Sequence, residues 1–259
     1  MLRSVLASAL LCVCVSGAQA APTYDWAPPA SSEALSHRYT PPPGYARLPT
    51  DDFGAWMREL PLLPVGSKVL LFDGREKPRQ DVHAAVVAID IGARDLQQCA
   101  DAVMRLRAEY LHSRAQLVEF HPDPGKPRAL RFDPKDRDPD RAKWKKYLVR
   151  VFADAGSASL QAELLPQGGA IQPGDVLIQG GYPGHAVMVL DVATDEAGHR
   201  KLLLGQSYMP AQSFHVLVDP ASAERAPWYD EAALDSRLGL VTPEWRPFKR
   251  SDVRRFRDR

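Results

Sequence analysis

The stretch Pro173-Gly174-Asp175-Val176-Leu177-Ile178-Gln179-Gly180-Gly181-Tyr182-Pro183-Gly184-His185-Ala186-Val187-Met188-Val189-Leu190 decides how this chain is read. Pro173-Gly174 makes a turn, Asp175 to Gln179 a strand, and Gly180 to Gly184 a tight loop. His185 to Val192 is the next strand. Two further strands follow, Lys201 to Gly205 and Phe214 to Val218, with a turn at Asp195 to Gly198 between the earlier pair. The half of the chain before this run is helical. Asp51 caps a helix over Phe53 to Leu60, and Pro61 stops it. Lys68 to Phe72 and Val82 to Ile91 read as a pair of strands. Asp95, with Gln98 three residues on, opens the longest helix, in which Leu96, Cys99, Val103, Leu106 and Tyr110 recur at helical spacing. Trp144 to Ala155 and Ser159 to Leu165 are shorter helical elements, and His121 to Arg141 is a polar loop. Helices first and consecutive antiparallel strands after them predict an α+β fold.

The ends differ from this middle. Met1, Leu2 and Arg3 precede an apolar run to Gly17 and the small-x-small triplet Ala18-Gln19-Ala20. The run is about 14 residues, too short to cross a bilayer core of about 30 Å, so residues 1–20 read as a signal peptide. The expected location is periplasmic or secreted, after cleavage near Ala20, with no transmembrane segment. Residues 21–49 are proline-rich and read as an arm or linker, residues 50–245 as one domain, and residues 246–259 as a basic C-terminal tail. Lys plus Arg total 33 and Asp plus Glu 32, so no overall field favours a nucleic acid or another polyanion. A monomer is expected.

Of three cysteines, Cys12 and Cys14 leave with the signal, and Cys99 stays without a partner. An exported chain normally uses cysteines in pairs. Cys99 is therefore a packing residue, a site for an intermolecular bond, or a functional thiol. The third option needs a thiol near a helix N-terminus, a base, and oxyanion donors. His185, the one polar group heading an apolar strand, is the candidate base. Gln206, at the end of the next strand, is the candidate to orient its ring. Gln97 and Gln98 are candidate oxyanion donors beside the Cys99 backbone N–H. His83 and Ser207 complete the set as candidate substrate contacts. The chain has no His-x-x-x-His or Cys-x-x-Cys pair, P-loop, dinucleotide fingerprint or Gly-x-Ser-x-Gly elbow, so neither a metal nor another cofactor is implied.

Gly174-Asp175-Val176 followed by Gly184-His185-Ala186-Val187 resembles the Gly-Asp-hydrophobic…His-hydrophobic block of NlpC-type cell-wall peptidases and their papain-like relatives. That resemblance implies a papain-like fold, a central N-terminal helix packed on a consecutive antiparallel sheet, with Cys99 as nucleophile, His185 as base and Gln206 as orienting residue. It also implies a peptide substrate, cell-wall peptide first. The segments Asp95 to Ala102, Gly181 to Ala186 and Gln206 to Gln212 are similar to the signature of a bacterial family of unknown function numbered 4846, over about Phe53 to Trp228. The resulting expectation is an exported thiol amidase or peptidase. The alternative is a non-catalytic envelope binding module on the same scaffold.

Overall fold

The computed structural model describes residues 24, 26–125, 128–135 and 140–257; the expected signal peptide lies outside them. Within the proline-rich arm, Glu33–Ala34 (β1), Leu35–Arg38 (α1) and Ala46–Arg47 (β2) take regular structure. Asp51 accepts from the Gly54 N–H at 2.7 Å and so caps Asp52–Arg58 (α2), which runs into Pro61–Leu62 (β3). His83–Val86 (β4) is shorter than its apolar run suggests, and the stretch before it forms only isolated bridges at Leu70 and Leu71.

Cys99–Ser113 (α3) starts four residues later than expected. Asp95 is spent otherwise, accepting from Gln98 Nε2 at 2.9 Å and from the Ala211 N–H at 2.7 Å. The Asp101 carboxylate instead accepts from the Gln98 N–H at 3.0 Å, which places Cys99 at the first helical position. Val118–Phe120 (β5) and Leu130–Phe132 (β6) form a small hairpin. Arg141–Asp154 (α4), Ser157–Glu163 (α5) and Leu165–Pro166 (β7) follow. The quoted stretch gives Val176–Gln179 (β8) and His185–Thr194 (β9). Arg200–Gln206 (β10), His215–Leu217 (β11) and Trp228–Asp230 (β12) continue from it. The chain closes with the hairpin Leu240–Thr242 (β13) and Trp245–Phe248 (β14), then Val253–Arg255 (β15).

One nine-stranded antiparallel sheet organises the molecule, in the order β4-β11-β10-β9-β8-β15-β7, with β12 on β10 and β2 on β9. This corrects the papain-like expectation of a central N-terminal helix packed on a consecutive sheet. The helices are few and short, and the sheet is the larger element. Only β8 to β11 pair in chain order; the flanking strands come from distant segments. The reason lies in the pairing of short, irregular pieces that carry no strand period. Val253 of β15 lies opposite Leu177, and Arg255 closes on the buried Asp175 at 2.5 Å. The stretch read as a basic tail thus supplies β15, and the arm supplies β2.

The centre of the sheet is buried on both faces. Ala186, Met188 and Leu190 of β9 join one apolar cluster with α2, α3 and α4 residues such as Met57, Val103 and Trp144. Val187, Val189 and Val192 join a second cluster with Leu240 and Phe248 of the C-terminal hairpin. A strand covered on both sides needs apolar residues at every position, which is why β9 reads as an unbroken run.

Candidate functional site

The site forms where the start of β9, the end of β10 and the start of α3 meet. His185 opens β9 and Gln206 closes β10. In an antiparallel pair these two ends lie at the same edge of the sheet, so the side chains meet: His185 Nε2 and Gln206 Oε1 are 2.8 Å apart. Beyond Gln206 the chain of contacts continues. Gln206 Nε2 donates to Glu244 Oε2 at 3.0 Å, and Glu244 Oε1 takes the Lys77 ammonium at 2.6 Å. Lys77 also donates to Gln212 Oε1 at 3.3 Å and lies 5.2 Å from the centre of the Tyr208 ring. The Tyr208 hydroxyl donates to the Glu244 carbonyl at 2.8 Å.

This chain fixes the proton on the imidazole. A carboxylate only accepts, so the Gln206 NH₂ must face Glu244 and its oxygen must face His185. Nε2 therefore carries the hydrogen, and Nδ1 carries a lone pair. Nδ1 is buried and has no hydrogen-bond partner among the described residues. Rings of Trp245 at 5.0 Å and Tyr208 at 5.1 Å enclose the imidazole. Burial is the main cause that lowers His185 from 6.5 to about 4, with Gln206 opposing and Lys77 adding to the fall. The ring is neutral at pH 7.

Cys99 sits at the N-terminus of α3 with its sulfur 3.9 Å from the Gly184 carbonyl oxygen. A helix N-terminus favours the thiolate, but here that effect is outweighed. Burial, then the nearby Asp101 charge, pushes the thiol up to about 11, and backbone N–H groups, that of Ala186 first, offset only part of this. Asp101 itself, buried, is raised well above the usual carboxyl value by desolvation. At rest the thiol is therefore protonated and the imidazole neutral.

The remaining predicted residues separate. Gln97 Oε1 accepts from Arg105 at 3.0 Å, while its Nε2 is buried and without a partner among the described residues. Gln98 spends its amide on Asp95. Ser207 Oγ donates to Gln212 O at 2.8 Å and stands 3.3 Å from Gln97 O, tying the loop after β10 to the segment before Cys99. His83 lies apart on β4, half-buried, 3.0 Å from the Ser67 carbonyl and with its ring 6.1 Å from that of His215. Lys77, Glu244 and Trp245 were not singled out from the sequence. Among the described residues no group of three or more His, Cys, Asp or Glu side chains gathers to hold a metal, and no helix is long and apolar enough to cross a membrane.

A sequence model of one family, described as "Domain of unknown function (4846)", matches residues 35–255, which include every residue of this site. No curated protein matches, and no solved structure does.

Proposed function

For a chain that belongs to the family of domains of unknown function numbered 4846, we propose a thiol-dependent hydrolase of amide bonds, with Cys99 as nucleophile and His185 as base. The observation that carries this reading is the bond from His185 Nε2 to Gln206, which leaves Nδ1 as a buried, unpartnered proton acceptor. Cys99 rests on the carbonyl of the residue immediately before His185. In this reading Nδ1 takes the thiol proton as sulfur attacks the substrate carbonyl, then returns it to the leaving amine; water completes hydrolysis of the thioester. The Cys99 backbone N–H and the unpartnered Gln97 Nε2 are assigned to the developing oxyanion. Starting from a neutral pair, the enzyme relies on positioned general-base catalysis in place of a preformed thiolate. The small-x-small pattern Ala18-Gln19-Ala20 supports a site of action outside the cytoplasm, and cell-wall peptides are the first substrates to offer.

The test is hydrolysis of peptide amides, cell-wall peptides among them, followed by mass spectrometry for wild type, Cys99→Ala and His185→Gln. Turnover by the wild type that both variants lose while keeping the wild-type circular dichroism supports the reading. Turnover that survives Cys99→Ala overturns it. One observation favours the second reading, a non-catalytic envelope binding module: His185 is wholly buried and Cys99 is 5% exposed. Binding of cell-wall fragments without cleavage, by a protein whose Cys99 stays unmodified by iodoacetamide, selects that reading.

A further inference from the structure

We infer that Lys77 and Glu244 are positioning residues that choose which nitrogen of His185 carries the proton, acting through the Gln206 amide. The inference rests on the proposed hydrolase reading for its purpose, but its geometry stands alone. The Lys77 and Glu244 side chains are 6% and 9% exposed and 2.6 Å apart. Removing two charges from water is costly, and a buried pair is by itself weak grounds for stability, so a use beyond packing is to be sought. The contacts supply one. The ammonium only donates, to Glu244 Oε1 and Gln212 Oε1. The Glu244 carboxylate only accepts, and so commits the Gln206 NH₂ to itself. The Gln206 oxygen is left for His185, and the imidazole must answer with Nε2–H. Each link has one direction, set at its far end by the charge on Lys77. Gln206 alone has no such power, because an amide can present either end to a ring nitrogen.

The isosteric change Glu244→Gln keeps the Lys77 link and reverses each link beyond it. The new carboxamide turns its oxygen to Lys77 and its NH₂ to Gln206. Gln206 rotates to accept that bond and offers its own NH₂ to His185 Nε2. The ring must then hold its hydrogen on Nδ1, where it cannot receive the thiol proton.

The experiment is nitrogen-15 NMR of the His185 ring at pH 7, where burial keeps the ring neutral, in wild type, Glu244→Gln and Glu244→Ala, with iodoacetamide alkylation of Cys99 measured beside it. The wild type is expected to show the Nε2–H tautomer alone. Glu244→Gln is expected to show Nδ1–H, with alkylation slowed at least tenfold. Glu244→Ala, which neither donates nor accepts, is expected to show both tautomers. It also serves if Glu244→Gln does not fold. In a Gln206→Met background the change at position 244 is expected to leave the tautomer where it was. A ring that stays Nε2–H in both position-244 variants overturns the inference, whatever the thiol does. A tautomer that inverts while the alkylation rate holds keeps the positioning role and overturns the base role of His185.

Discussion

The Cys99 thiol rests on the carbonyl oxygen of Gly184, 3.9 Å from it, at the last residue of the loop that delivers His185. The fit of that loop is tight. A Cβ on residue 184 would stand 2.0 Å from Ser157 Oγ and 2.7 Å from the Gly181 N and O atoms. Ser157 Oγ is the group that ties the loop down, donating to the Gly181 carbonyl at 3.1 Å. Gly184→Ala must therefore break this tie and shift the carbonyl under the thiol. A loss of about 1–3 kcal/mol is expected from overpacking, together with a changed Cys99 alkylation rate. Denaturant unfolding and a timed iodoacetamide reaction check both. Unchanged stability would show that the loop relaxes freely.

Acid should weaken the fold through two buried rings. Burial lowers His185 to about 4 and His215 to about 3, from an ordinary 6.5. Between pH 6.5 and those values the unfolded chain binds more protons than the native one, so stability is full above about 6.5 and falls as pH falls. At pH 5 each ring costs about 2 kcal/mol relative to pH 7. Asp101, with its raised pKa, has the opposite sign, so the contribution of one ring is best read by difference. His215→Gln should lose less stability than wild type on going from pH 7 to pH 5. Equal losses would place the acid sensitivity elsewhere.

The pairing of His185 with Gln206 was legible because its determinants are local. A glycine-rich loop announces the start of β9, and two antiparallel strands in succession bring the start of one to the end of the next. The capping segment before Cys99 marks a helix start, although the cap itself is Gln98 in place of Asp95. The wider sheet was not legible. β15 and β2 are two or three residues long and are held by partners more than 70 residues away, so no period betrays them. For the same reason Lys77 and Glu244, over 160 residues apart, look in the sequence like ordinary loop charges. The direction of the Cys99 shift also escaped. A helix terminus is visible in sequence, whereas the burial that outweighs it depends on the whole tertiary packing.

Trp245 is the lid on His185. Its ring centre is 5.0 Å from the imidazole, and its Nε1 donates to Gln179 Oε1 at 2.9 Å. If exclusion of water is what holds His185 near 4, Trp245→Ala should let the value climb back toward 6.5. An NMR titration of the ring checks this. A value that stays near 4 would assign the burial to Tyr208 and the sheet instead.

Asp191 anchors the N-terminal arm to the sheet. Its carboxylate, 1% exposed on β9, accepts from Arg47 Nε at 2.6 Å and Arg58 Nε at 2.7 Å. Arg47 also donates to the Ser36 and Tyr39 carbonyls, and Arg58 to that of Leu48. One buried acid thus gathers α1, β2 and α2 onto β9. Asp191→Ala strands both guanidiniums, and the loss of a buried partner costs about 3 kcal/mol or more. The cost should appear locally as well as globally, because β2 has only two residues paired to β9. Trypsin should then cut after Arg47 at concentrations that leave the wild type intact, while His185 keeps its ring NMR signals. If cleavage stays at the wild-type rate, the arm is held by its apolar contacts, Leu35 among them, and the ion pairs only refine its register.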